Sequence, residues 1–290
     1  MASFADAPLD LDAYFARIEY SGGRRPTLET LKGLHFAHAT HVPFENLDVM
    51  LGRAIRIDLE GIQSKLVHAR RGGYCFEQNF LLAAALERLG FRVTLLQARV
   101  RFGAQRILPR THVLLAVDID DRRWLADCGF RSFGLLEPLP LATGEFRQFA
   151  WSYRLAREEA HWVLKAPVGG HWQDLYTFTL EPQYPVDFEP ANHYVSTHPN
   201  SRFVQTLTVQ RVAPERRLVL RNTELAVSTP EGDTRRSLKD HAELIELLAA
   251  EFGLNFPPGT TLLAVSAWSG PVSHSGADSA TDRRGLRAGN

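Results

Sequence analysis

The chain has 290 residues, 44% of them hydrophobic, which supports a sizeable core spread over one to three domains. Its 33 Lys plus Arg balance 33 Asp plus Glu, so no net charge invites nucleic acid or an anionic membrane. Two cysteines exclude a disulfide framework, no apolar run nears the ~18 residues of a membrane span, and the acidic N-terminus is no secretory signal, which together predict a cytoplasmic protein.

The first ninety residues read as helix. "LDLDAYFARI" places Leu11, Tyr14, Phe15 and Ile18 at helical spacing, and "TLETLKGLHFAHATHV" repeats the pattern up to Pro43. "DLEGIQSKLVHARR" starts at Asp58 as N-cap and is expected to end at Gly72-Gly73 as C-cap. "FEQNFLLAAALERLG" runs from Phe76 to Gly90. From Phe91 the period becomes that of strands. "RVTLLQARVRF", "THVLLAVDI" and "RWLADCGF" are followed by "WVLKAP", "WQDLYTFTL", "FVQTLTVQRV", "RRLVLR" and "ELAVST". "DHAELIELLAAEFG" closes as a helix stopped by Gly253, and the polar tail from about Gly270 reads as poorly ordered. Helices followed by strands predict an α+β fold, and neither GxGxxG nor GxxxxGK[ST] is present for a dinucleotide or P-loop site.

"RGGYCFEQN", Arg71 to Asn79, sets Cys75 where the last of the N-terminal helices begins. Unpaired N–H groups and the positive dipole end favour a thiolate there, and Gln78 sits at the capping-box offset. Cys75 is then a nucleophile or an inert core thiol, and a nucleophile needs a base. The hairpin "THVLLAVDIDDRRWLAD" supplies one. A turn at Ile119-Asp120 sets His112 directly opposite Asp127; a turn at Asp120-Asp121 moves the register by two and keeps both on one face. Cys128, next to Asp127, points to the other face and reads as a core thiol. His35, His38 and His41 share a helical stripe with no carboxylate or cysteine to complete a metal site. "RRSLKD" reads as solvated charge.

With "HVPFENLDV", "THVLLAV", "LADCGF" and "STHPNSRFV", "RGGYCFEQN" makes the sequence resemble the arylamine N-acetyltransferases over about two thirds of the chain, in the family's order. The resemblance implies a helical bundle (residues 1–90), an antiparallel β-barrel (91–200), an α/β lid (201–269) and a flexible tail (270–290). It implies a papain-like Cys-His-Asp triad of Cys75, His112 and Asp127, although the short steps between them are unlike the papain spacing. Ping-pong chemistry follows: Cys75 takes acetyl from acetyl-CoA, a co-substrate and not a bound group, and passes it to an aromatic amine or hydrazine, or to an N-hydroxyarylamine. Phe44, Phe130 and Phe203 fall at acceptor positions, where core packing is the alternative. Thr111, Gly129, Arg131 and Ser132 fall near coenzyme A, with Arg131 standing where bacterial members carry a glycine. A cysteine hydrolase, an amide synthase acting on a carrier-tethered polyketide chain, and a non-catalytic relic are the rival readings. A monomer or homodimer without metal is expected.

Overall fold

The computed structural model describes residues 4, 8–130, 133–257 and 259–262; Arg131, Ser132 and the tail from Gly270 lie outside the described residues. Helix α1, Leu11–Ile18, is capped by Asp10, whose side chain accepts the Ala13 N–H, and it buries Tyr14, Phe15 and Ile18. Thr27 caps α2, Leu28–His41, which ends before Pro43 as its sequence requires. The next segment was not legible as structure: it forms a two-residue strand β1, Phe44–Glu45, and one turn of helix α3, Leu47–Met50. Asp58 caps α4, Leu59–Ile62, which continues as a π-helical stretch over Gln63–His68.

The expected C-cap at Gly72-Gly73 is a correction. The helical run stops at His68, and Arg70, not a glycine, takes the left-handed conformation at φ 51°. The buried Arg17 guanidinium explains the early stop, because it donates to the carbonyls of Leu66 (2.9 Å) and His41 (2.8 Å) and reaches Arg71 O at 3.3 Å. The glycines serve close approach instead. A Cβ on Gly72 would lie 2.1 Å from Pro43 O, and Gly73 bridges Phe44 in parallel. Helix α5, Cys75–Arg88, then runs through the middle of the bundle, buried on all sides from Cys75 to Leu86.

Strands β2 (Arg92–Val100), β3 (Arg110–Ile119), β4 (Arg122–Ala126), β5 (Leu139–Pro140), β6 (Gly144–Gln148), β7 (Trp151–Glu158), β8 (His161–Val168) and β9 (His171–Phe178) form an antiparallel, nearly closed barrel-like sheet in the order β5-β4-β3-β2-β9-β8-β7-β6. Helix α6, Glu189–Thr197, and the single turn α7, Arg202–Gln205, follow. "FVQTL" is therefore not strand as expected, since pairing starts only at Thr208, with Ser201 capping α7. The second sheet is β1 with β10 (Thr208–Val212), β11 (Arg217–Arg221), β12 (Glu224–Thr229) and β13 (Gly232–Ser237), closed by α8, His241–Phe252. Strand β13 is exposed throughout, so its arginines are solvated as read, although they sit on a strand. The C-cap of α8 is Gly253 at φ 67°, as expected.

Three apolar clusters result. One joins the bundle to the outer face of β3 and β4, one fills the barrel, and one lies between the second sheet and α8. The alternation along β3 and β4 decides membership. Val113, Leu115, Val117 and Trp124 face the bundle, while Leu114, Ala116 and Leu125 face the barrel interior.

Candidate active site

Cys75 is the first residue of α5, behind Tyr74 at the N-cap position. Glu77, not Gln78, answers the cap: its Oε2 accepts the Tyr74 N–H at 2.9 Å. Gln78 lies one residue too far on and instead donates to Pro43 O (3.2 Å) and Gly73 O (2.8 Å), fixing the loop that precedes the thiol. Cys75 is buried, with Sγ 3.6 Å from Thr111 O on the adjacent β3.

The β3–β4 register pairs Leu115 with Ala126 and Ile119 with Arg122, so the turn is Asp120-Asp121, with Asp120 at φ 51°. Of the two turns considered, this is the shifted one. His112 and Asp127 are therefore diagonal on one face and not directly opposite, and they still meet: His112 Nε2 lies 2.7 Å from Asp127 Oδ2. That bond leaves Nδ1 for the Cys75 thiol. Burial, the largest single influence, would lower the His112 pKa, but the charge and hydrogen bond of Asp127 together with Cys75 outweigh it and push it up to about 9. Burial would raise Asp127, yet the facing His112 and the Asn79 amide hold it below the usual carboxylate range.

Asp127 is held on every side. Its Oδ1 accepts from Asn79 Nδ2 and Gly129 N, both at 2.9 Å, and its backbone N–H donates to His35 Nε2 at 3.0 Å. His35 must therefore carry its proton on Nδ1, which donates to Leu136 O at 3.1 Å. Burial keeps this imidazole neutral by lowering its pKa to about 4. Asn79 also donates to Val113 O (2.7 Å) and accepts from Cys128 N (3.0 Å), tying α5 to both strands of the hairpin. Sequence reasoning missed Asn79 and His35 as positioning groups. Asn79 carried a signal, because it lies four residues after Cys75 on the same helical face. His35 carried none, since its partner is distant in sequence.

Gly129 presses on Cys75: a Cβ there would sit 2.6 Å from Cys75 Cα and 2.7 Å from Asn79 Nδ2. Phe130 follows it, with its ring edge-on to His112 at 5.2 Å and to Tyr176 at 4.8 Å. Phe203 packs between Phe44 (5.9 Å) and Tyr74 (5.6 Å). Thr111 and Phe203 line a cleft of about 480 Å³ beneath the loop Phe102–Pro109. Cys128 faces the bundle as read, with Sγ 3.6 Å from His35 O; burial, with Asp127 beside it, pushes its pKa well up. His35 and His38 are both buried, and among the described residues no group of His, Cys, Asp or Glu could hold a metal.

A buried charge cluster braces the start of α5. Lys65 Nζ reaches Glu77 (2.8 Å), Asp48 (2.9 Å) and Glu45 (3.9 Å), and Arg71 Nη2 reaches Glu45 (2.7 Å) and Asp48 (3.3 Å). Burial raises Glu77 to about 7 against the pull of Lys65.

With its helical bundle and nearly closed barrel-like sheet, the structure matches proteins of the acyl-transferring class. Residues 27–260 match the N-acetyltransferase family model, and the chain belongs to the arylamine N-acetyltransferase family. It is 40% identical over 254 residues to the arylamine N-acetyltransferase of Mycolicibacterium smegmatis, covering 85% of this chain and 92% of that protein. It is 39% identical over 248 residues to the arylamine N-acetyltransferase / N-hydroxyarylamine O-acetyltransferase of Salmonella typhimurium, covering 84% and 88%. Among solved structures, the Nocardia farcinica arylamine N-acetyltransferase superposes with a TM-score of 0.83 at 43% identity, covering 92% of this chain and 95% of that one. The Mycobacterium marinum enzyme in complex with CoA gives 0.80 at 37% identity, covering 85% and 93%. Among the described residues no helix is long and apolar enough to cross a membrane.

Proposed function

We infer that the protein is an acetyl-CoA:arylamine N-acetyltransferase working through a Cys75–His112–Asp127 triad of papain-like logic. The observation that carries the reading is the His112–Asp127 bond at 2.7 Å, with Nδ1 left for a thiol at a helix start. A His112 pKa of about 9 suits it to hold the thiol proton at neutral pH. The Cys75 thiolate attacks the acetyl carbonyl of acetyl-CoA, and the tetrahedral oxyanion collapses to a Cys75 thioester. His112 returns its proton to the departing CoA sulfur. An arylamine or hydrazine then attacks the thioester, His112 accepts the amine proton, and the thiolate is regenerated.

The cleft beside Thr111 and Phe203 is the entry for the pantetheine arm, with Gly129 leaving room over the nucleophile; Arg131 and Ser132 complete the proposed CoA contacts. Phe44, Phe130 and Phe203 form the apolar walls for the acceptor ring. The second sheet with α8 is read as the lid. The Salmonella relative's name extends the acceptor range to N-hydroxyarylamines. The relatives compared above are named as N-acetyltransferases, and the carrier-tethered amide synthase reading is set aside.

Intact-protein mass spectrometry after mixing with acetyl-CoA tests the reading. One acetyl group added to the wild type, absent from Cys75→Ala and discharged by an arylamine, is expected. A folded wild type that gains no acetyl group refutes it.

A further inference from the structure

Three fully buried polar side chains outside the Cys75–His112–Asp127 group lead toward it: Tyr14 on α1, His38 on α2 and Gln78 on α5. The Tyr14 hydroxyl lies 2.8 Å from His38 Nδ1. The Gln78 amide nitrogen donates to Pro43 O at 3.2 Å and to Gly73 O at 2.8 Å, which uses both of its hydrogens. His38 and Gln78 are hydrogen-bonded to each other, and the atoms left for that bond, His38 Nε2 and Gln78 Oε1, have no other partner among the described residues.

The direction of every bond then follows. Gln78 can offer His38 only its carbonyl, so Nε2 must carry the imidazole proton and donate it. Burial lowers the His38 pKa to about 3 and keeps the ring neutral, so Nδ1 is bare and accepts the Tyr14 O–H. The far end of this relay is the approach to Cys75. Gly73 lies two residues before Cys75 and Gln78 three residues after it, so the amide ties the incoming loop to the first turn of α5. Gly73 N also donates to Pro43 O at 3.3 Å, and Glu45 N to Gly73 O at 3.1 Å, which joins β1 to the same knot. Turned over by 180°, the Gln78 amide would set its oxygen against two carbonyls and lose all three bonds. The His38 N–H selects the other orientation.

We propose that His38 is a positioning residue for acetyl transfer: by holding the Gln78 amide in the orientation that grips Pro43 and Gly73, it sets Cys75 against His112. This rests on the acetyl-transfer reading.

The test is single-turnover acetylation of the full chain over a range of acetyl-CoA concentrations, with loading read by mass and each rate taken per folded molecule from circular dichroism. A folded wild type that gains no acetyl group overturns the acetyl-transfer reading and this proposal with it, before any variant is made. His38→Met, which has no donor, is expected to lower the maximal rate constant about tenfold, as the loss of one hydrogen bond to a buried acceptor allows, with the half-saturating acetyl-CoA concentration unchanged within about twofold. His38→Gln puts an amide N–H near the place of Nε2 and should return the rate to within about threefold of wild type. Because His38 acts through Gln78, adding His38→Met to Gln78→Met should cost no more than about twofold beyond Gln78→Met alone. A wild-type rate constant in folded His38→Met or in Gln78→Met overturns the proposal, as does a double variant in which the two losses multiply. A His38→Met that loses only folded fraction, at an unchanged rate per folded molecule, makes the residue structural and overturns it too. Should His38→Met not fold, Gln78→Met and His38→Gln still decide: a Gln78→Met at the wild-type rate, or a folded His38→Gln slowed tenfold, refutes the assignment.

Discussion

Replacing Asp127 with Asn tests how the carboxylate acts. Its Oδ1 accepts two N–H groups, from Asn79 and Gly129, so the carboxamide oxygen of the variant must take that place. The NH2 then replaces Oδ2 and faces His112 Nε2. Two donors cannot share a bond, so His112 must leave Nε2 unprotonated and carry its proton on Nδ1, the side of Cys75. An imidazole in that tautomer presents N–H to the thiol and cannot accept its proton. Losing the carboxylate also removes the main interactions that lift His112 from 6.5 to about 9, leaving only those of Cys75 against the lowering by burial. The lost rise is worth roughly 3 kcal/mol, or two to three orders of magnitude in rate if the ion pair is the reacting form. Stopped-flow acetylation by acetyl-CoA at pH 7 should slow by at least a hundredfold, with far-ultraviolet dichroism unchanged. A folded variant that acetylates within threefold of wild type would refute the reasoning.

Three further outcomes are expected. His35 and His38 have pKa values lowered by burial to about 4 and about 3 from 6.5, so as pH falls below 6.5 the unfolded chain binds their protons first; each should remove about 1.4 kcal/mol of stability per pH unit between 6.5 and its folded value. His112, raised to about 9, has the opposite sign: its contribution is complete below 6.5 and is lost as pH rises through 9. Urea midpoints should fall on both sides of a maximum near pH 6.5, and a flat profile from pH 7 to 5 would contradict this. Gly129→Ala should cut the acetylation rate at least tenfold, because the new Cβ meets Cys75 Cα and the Asn79 amide, and an unchanged rate would show that the segment yields freely. Lys65→Met leaves Glu77 without its cation, while Arg71 still faces Glu45 and Asp48, and should cost about 3 kcal/mol in urea unfolding; a loss below about 1 kcal/mol would mean the cluster reorganises.

What the sequence disclosed follows from the range over which each device acts. Caps act within four residues, so Asp10, Thr27, Asp58 and Gly253 were legible or follow the rule. The π-helical stretch and its stop at His68 were not, because Arg17, far away in sequence, satisfies the carbonyls that would otherwise need a glycine cap. Strand β1 is too short to show alternation, and it exists because β10 pairs with it across the molecule. The His112–Asp127 pair was legible for a different reason. A hairpin turn of two residues permits either register, but strand side chains alternate with period two, so both registers leave the two on one face. The pair thus rests on parity, which composition and turn chemistry fix, and not on the register, which they leave open. The same parity sends Cys128 to the bundle, where it cannot compete with Cys75 for His112. The groups that hold the pair in place, His35 and Asn79, come from two helices packed against the hairpin. That packing is settled by apolar burial between elements, so their roles emerge only once the bundle and the barrel are assembled.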